Sequence, residues 1–206
     1  MKCALARLKV YLQVEHVKSG SLSRTTLIRA IPITNQMLTG ILFRFNGDLT
    51  RHALHHALTI PNSVGWSRDQ KTMYFTHSTK KSIIAFDYAP GSGSISNERI
   101  FWEYDGAGDP DGFKIDTEGN LWQAIYGDSK VVKISPQGKV IGEILYPTRC
   151  ITCPVFIGTE LWVTTAAEGD EKEVESAKFG GAVFKIDVGI GGAKEFKFKL
   201  DENAQI

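Results

Sequence analysis

From Gly40 onward the chain alternates short β-branched and aromatic runs with Gly, Pro, Asn and Asp, the texture of many short antiparallel strands joined by turns. Four of these runs match one another: GILFRFN (40–46), SIIAFDY (82–88), KVVKISP (130–136) and GAVFKID (181–187). Their equivalent residues Phe45, Phe86, Ile134 and Ile186 are spaced 41, 48 and 52 apart. A second strand type precedes three of them, in KTMYFTH (71–77), NLWQAI (120–125) and ELWVTT (160–165), with Tyr74, Trp122 and Trp162 separated by 48 and 40. Two strand families on one period of about 40–50 residues predict an all-β fold, a β-propeller in which each repeat is one blade. A β-sandwich has no reason to repeat strand pairs in register at that distance. The turns at 68–71 and 116–119 fall where hairpins of such blades belong. The 167 residues from Gly40 amount to about four blades. A blade cannot bury both of its faces alone, so neighbours must stack.

Residues 1–39 have a different texture. They carry six basic residues (Lys2, Arg7, Lys9, Lys18, Arg24, Arg29) against one acidic residue, Glu15, with Ser and Thr clustered at 19–26. The spacing of Leu5, Leu8 and Leu12 predicts an amphipathic helix over 2–17. The expected division is therefore a divergent basic segment, 1–39, and a propeller region, 40–206. A basic, acid-poor head is similar to a mitochondrial transit peptide but lacks a clear cleavage signal, so the cytoplasm is the default location.

Composition narrows the partners. Lys and Arg number 24 against 23 Asp and Glu, a net charge of +1, which offers no global field for nucleic acid or an acidic membrane. No apolar run approaches the roughly 20 residues of a membrane helix. Three cysteines make a poor disulfide framework for 206 residues and favour a reducing compartment. Cys150 and Cys153 form a CxxC without a βαβ context or a second ligand pair, so buried or half-buried strand cysteines are expected.

The stretch Ile60-Pro61-Asn62-Ser63-Val64-Gly65-Trp66-Ser67-Arg68-Asp69, with Met73-Tyr74-Phe75 and Ala85-Phe86-Asp87-Tyr88, resembles the SMP-30/gluconolactonase/regucalcin family. Asp109-Pro110-Asp111-Gly112, Glu118-Gly119-Asn120-Leu121-Trp122, Thr152-Cys153-Pro154, Leu161-Trp162-Val163-Thr164 and 180–185 follow its later blades. The resemblance implies a six-bladed propeller holding one divalent cation in its central channel, and hydrolysis of a small-molecule sugar lactone or related ester by a monomer. Asn62 corresponds to the family's asparagine metal ligand. Asp111 corresponds to its aspartate ligand, which also assists proton transfer at the attacking water. An amide oxygen and a carboxylate suit Ca²⁺, Mg²⁺ or Mn²⁺, and Zn²⁺ also accepts the carboxylate. The implied mechanism is attack of a metal-activated water on the lactone carbonyl. Taken alone, Asn62 after a proline and Asp111 before a glycine are ordinary turn residues; their place inside two longer motifs favours the metal site.

The departures matter as well. The family's first ligand, a glutamate of the first blade, and its substrate-contacting arginine and asparagine have no counterpart in 1–39. His77 stands where aspartate is common in the family, and a surface or hydrogen-bond-satisfied histidine is expected there rather than a replacement ligand. Residues 168–175 form an acid-rich run without EF-hand spacing, expected to be a solvated loop. His52, His55 and His56 are not expected to bind zinc. The alternative functions are an inactive, truncated family member and a calcium-binding or interaction propeller without catalysis.

Overall fold

The computed structural model describes residues 10–14, 24–29, 40–168, 175–195 and 198–201. Among the described residues fifteen strands form four antiparallel sheets. The first sheet contains β1 (Val10–Val14), β2 (Arg24–Arg29), β3 (Gly40–Asn46) and β4 (Arg51–Leu58) in that order. The second contains β5 (Pro61–Trp66), β6 (Thr72–His77), β7 (Ser82–Ala89) and β8 (Ser94–Glu103). The third contains β9 (Asp109–Ile115), β10 (Leu121–Tyr126), β11 (Lys130–Ile134) and β12 (Val140–Leu145). The last contains β13 (Ile151–Ile157), β14 (Glu160–Thr165) and β15 (Val183–Asp187).

These are four propeller blades. The first repeated segment type in the sequence is the third strand of every sheet, β3, β7, β11 and β15, and the second type is β6, β10 and β14, the second strand. The period is therefore one sheet. At residues 10–14 the expected helix is instead a strand, paired antiparallel with β2; the rest of 2–17 lies outside the described residues. VYLQV is rich in β-branched and aromatic residues, and pairing along a sheet outweighs the three-leucine spacing.

Each sheet uses its two faces for two different cores, because successive side chains on a strand point to opposite sides. Met73 and Phe75 of β6 pack with Leu42 and Leu58 of the first sheet and with Ile84 and Phe86. Tyr74, between them in sequence, packs with Ile83, Ala85 and Trp102 against Phe113, Ile115, Leu121 and Ile125 of the third sheet. Trp122 and Ala124 then turn the other way, toward Ile151, Leu161 and Val163 of the last sheet. Because the second and third sheets are packed on both sides, their central strands read as nearly continuous apolar runs.

The first strand of each sheet lies against the first strand of the next: β1 contacts β5, β5 contacts β9 and β9 contacts β13. These four strands lie side by side as the inner strands, while β4, β8 and β12 are the opposite edges of their sheets. Among the described residues no helix is long and apolar enough to cross a membrane.

Two polar residues fasten the loops. Asp116, fully buried, accepts hydrogen bonds from Glu118 N, Asn120 N, Asn120 Nδ2 and Trp122 Nε1 and so fixes the β9–β10 turn. Glu168 was expected on a solvated loop but is buried. Its carboxylate accepts from Thr148 Oγ1 at 2.8 Å, Arg149 N at 2.7 Å, Arg149 Nε at 2.8 Å and Ser176 Oγ at 2.9 Å. Burial pushes this carboxyl up, but the bonds from Arg149, Thr148 and Ser176 outweigh it and bring it to about 2 from an ordinary 4.5.

Two consequences are measurable. Phe75→Ala, at a fully buried position, lowers unfolding free energy by about 3–5 kcal/mol, whereas Ile100→Ala on the exposed face of β8 changes it by no more than about 0.5 kcal/mol; urea unfolding distinguishes them. Because the folded Glu168 carboxyl lies below its unfolded value, its contribution is present above pH 4.5 and drains away as pH falls toward about 2. Glu168→Gln therefore lowers the melting temperature at neutral pH and makes the acid loss of stability shallower across that window; an unchanged melting temperature would contradict the assigned role.

Candidate metal and lactone site

Two of the inner strands bury polar side chains along their length. In β5 every residue is buried, including Asn62 and Ser63, and in β9 Asp111 is buried between Pro110 and Gly112. Ordinarily such polar groups leave the interior unless something holds them. The bonding around them shows what does.

Ser63 Oγ accepts the Phe113 backbone N–H at 2.9 Å, tying β5 directly to β9. Two residues on, a Cβ at Gly65 would stand 2.7 Å from Phe113 Cε2 and 3.1 Å from Ile115 Cδ1. The two inner strands therefore run in the same direction, with residue 63 beside 113 and residue 65 beside 113–115. Asn62 and Asp111 consequently lie at the same end of neighbouring strands. On the far side of β9, a Cβ at Gly112 would meet Cys153 Sγ at 2.6 Å and Thr152 O at 2.8 Å, so only glycine permits β13 to approach so closely.

Both candidate donors are backed by buried side chains that the sequence did not single out. Asn62 Nδ2 donates to Ser78 Oγ at 2.9 Å. Thr76 Oγ1 donates to Gln123 Oε1 at 3.0 Å, and Gln123 Nε2 donates to the Gly112 carbonyl at 3.1 Å and the Ala124 carbonyl at 2.9 Å. Gln123, fully buried, thus bridges β6 of the second blade to the backbone beside Asp111 in the third. A glutamine within the apolar run NLWQAI was the available signal, since a long polar side chain in such a strand must be satisfied internally.

His77 is a correction. It was expected at the surface or satisfied; it is fully buried at the end of β6. Its Nε2 accepts from Thr59 N–H at 3.4 Å, and its Nδ1 has no hydrogen-bond partner. Burial first, then the positive charge of Lys80 and the neighbouring His55, hold its pKa below the ordinary histidine value, so it is neutral at pH 7. His55 bonds Glu98 at 3.0 Å, and His52 contacts Asn46 at 3.1 Å. Among the described residues no group of three or more His, Cys, Asp or Glu could hold a metal ion together. Cys150 is buried and Cys153 half-buried.

A cavity of about 230 Å³ opens elsewhere, at the other end of the inner strands, lined by Gly65, Trp66, Arg68, Phe113, Lys114 and Glu195 among others. It does not include Asn62 or Asp111. The buried polar side chains that converge on Asn62 and on the backbone beside Asp111 mark their end as the candidate site.

By type, the amide oxygen of Asn62 and the carboxylate of Asp111 fit a hard divalent cation. A calcium ion takes about six to eight oxygens, so two such donors would make up only part of a coordination sphere.

Comparison with known proteins agrees with this organisation. The chain is 38% identical over 164 residues to an L-arabinolactonase of Azospirillum brasilense, covering 77% of this chain and 54% of that protein. It is 32% identical over 170 residues to the pentonolactonase XacC of Haloferax volcanii, covering 77% and 57% respectively. It thus spans little more than half the length of these relatives. The crystal structure of a calcium-binding protein, regucalcin, from Agrobacterium tumefaciens C58 superposes with a TM-score of 0.77 over 87% of this chain and 62% of that one, at 23% identity, a likeness of fold. The family model for the SMP-30/Gluconolactonase/LRE-like region matches residues 19–167. With the match extending over most of four blades, the chain belongs to the SMP-30/gluconolactonase/LRE-like family.

Proposed function

We propose that this chain carries part of the cation and substrate site of a divalent-metal-dependent hydrolase of sugar lactones. The observation that carries the reading is the placement of Asn62 and Asp111 at one end of adjacent inner strands, in a chain 38% and 32% identical to two sugar lactonases.

Asn62 and Asp111 would hold the cation. Bound there, a Ca²⁺, Zn²⁺, Mg²⁺ or Mn²⁺ ion supplies polarisation of the lactone carbonyl and a lowered pKa for water. Asp111 accepts the proton released as water attacks the carbonyl carbon. It returns that proton to the ring oxygen as the carbon–oxygen ring bond breaks, so the product is the open hydroxy acid and the carboxylate is regenerated. The Gln123 bridge and the Gly112–Cys153 contact hold the backbone beside Asp111 while the proton moves.

The test is hydrolysis of L-arabinolactone and gluconolactone by the purified chain, with EDTA and with each metal restored, beside a circular dichroism melt. Activity falls on chelation and returns with one metal. Asp111→Ala lowers turnover on the order of 10²–10⁴-fold, the range of a lost acid–base group, and weakens metal binding; Asn62→Ala, which removes a neutral donor, does less. Undiminished turnover in Asp111→Ala would remove the site assignment. A folded chain inactive with every metal would favour the non-catalytic reading.

A further inference from the structure

The cavity of about 230 Å³ stands apart from Asn62 and Asp111, and its walls come from three stretches of chain that are distant in sequence. The end of β5 supplies Val64 and Gly65, and β9 supplies Phe113 and Ile115. The third wall is the chain after β15. Ala193 N donates to the Ile115 carbonyl at 2.8 Å and Thr117 N to the Gly191 carbonyl at 2.9 Å, which pins this segment to the end of β9. Lys114 and Glu195 pair across the same junction.

Around these apolar walls stand polar side chains that bond nothing within the protein. Arg68, Gln70 and Thr117 line the cavity, and among the described residues their side chains make no hydrogen bond or ion pair. The stem of Arg68 rests on the β9–β10 turn, with Cδ and Cγ 3.5 and 3.6 Å from the place a Gly119 Cβ would occupy, while its guanidinium stays unpaired. Charge on the lining is uneven. Arg68, Lys114 and Lys194 are basic, Glu195 alone is acidic, and Glu195 is engaged by Lys114. An apolar hollow with a few convergent polar groups is the usual form of a small-molecule site, and surplus positive charge selects an anion. A dry void of about 150 Å³ accommodates benzene, so this one has room for a six-membered ring bearing a carboxylate.

We propose that this cavity is a second ligand site, separate from the candidate lactone site, which takes a compact carboxylate with an apolar ring. The Arg68 guanidinium holds the carboxylate, the Gln70 amide and the Thr117 hydroxyl donate to its oxygens, and the ring lies against Phe113 and Ile115.

The experiment is isothermal titration calorimetry of the full-length chain with benzoate, benzamide, gluconate and inorganic phosphate, with a circular dichroism melt on every variant. Benzoate binds roughly tenfold or more tightly than benzamide, which keeps the ring and loses the charge. It also binds more tightly than gluconate or phosphate, which keep a charge and lack the apolar ring. Arg68→Ala, at an exposed side chain, melts as the parent does and brings benzoate down to the level of benzamide. Arg68→Lys retains part of the preference, because the charge stays and the two-pronged geometry goes. Thr117→Trp, which fills the hollow from an exposed position, abolishes benzoate binding. Equal affinity for benzoate and benzamide, or phosphate or gluconate binding as tightly as benzoate, would overturn the proposal. Undiminished benzoate affinity in a folded Arg68→Ala or Thr117→Trp chain would place the ligand elsewhere and overturn it too, as would a folded parent chain that binds no benzoate.

Discussion

A sheet with two apolar faces cannot stand in water by itself, and every other property of this chain depends on that constraint. Along each central strand of the second and third blades successive side chains alternate between the two neighbours, so that Tyr74 and Phe75 belong to different cores although they are adjacent in the chain. Stability is then a sum over interfaces between successive sheets. The candidate site inherits this arrangement. Asn62 comes from one blade and Asp111 from the next, and their relation is fixed by contacts that cross the interface: Ser63 to Phe113, Thr76 to Gln123 and the Ser78 turn to β9.

Much of the fold was legible because a repeat is read by comparison within one sequence. Matching β3, β7, β11 and β15 required only that four apolar strands share a spacing, and the structure makes that spacing one sheet. The inner strands were legible differently, through the motifs around Asn62, Asp111 and Cys153, since their polar and glycine content hides them from hydrophobic patterning. At residues 10–14 the pattern misled: three leucines at helical spacing are a short signal, and hydrogen-bonded pairing with β2 decides the outcome.

The polar interior was the least legible part. Glu168 belongs by composition to an acidic surface run, and only the convergence of Thr148, Arg149 and Ser176 makes its burial tolerable. Sequence carries no trace of that convergence, because the partners come from separate loops. Ser78 is a similar case: a serine after a strand is an ordinary turn residue until the structure puts Asn62 beside it. His77 shows the converse, a residue whose surroundings are apolar enough to keep it neutral where a charged side chain was the family habit.

The alternation of side chains between two cores also bears on how such a chain can change over time. Substitutions at Met73 and at Tyr74 alter different interfaces, so their energetic effects approach independence although the residues are covalent neighbours. A compensating change is needed across the interface, tens of residues away, and seldom next door. Drift can therefore proceed one interface at a time, each repacking without disturbing the others, which is a route by which relatives sharing about a third of their residues retain one architecture.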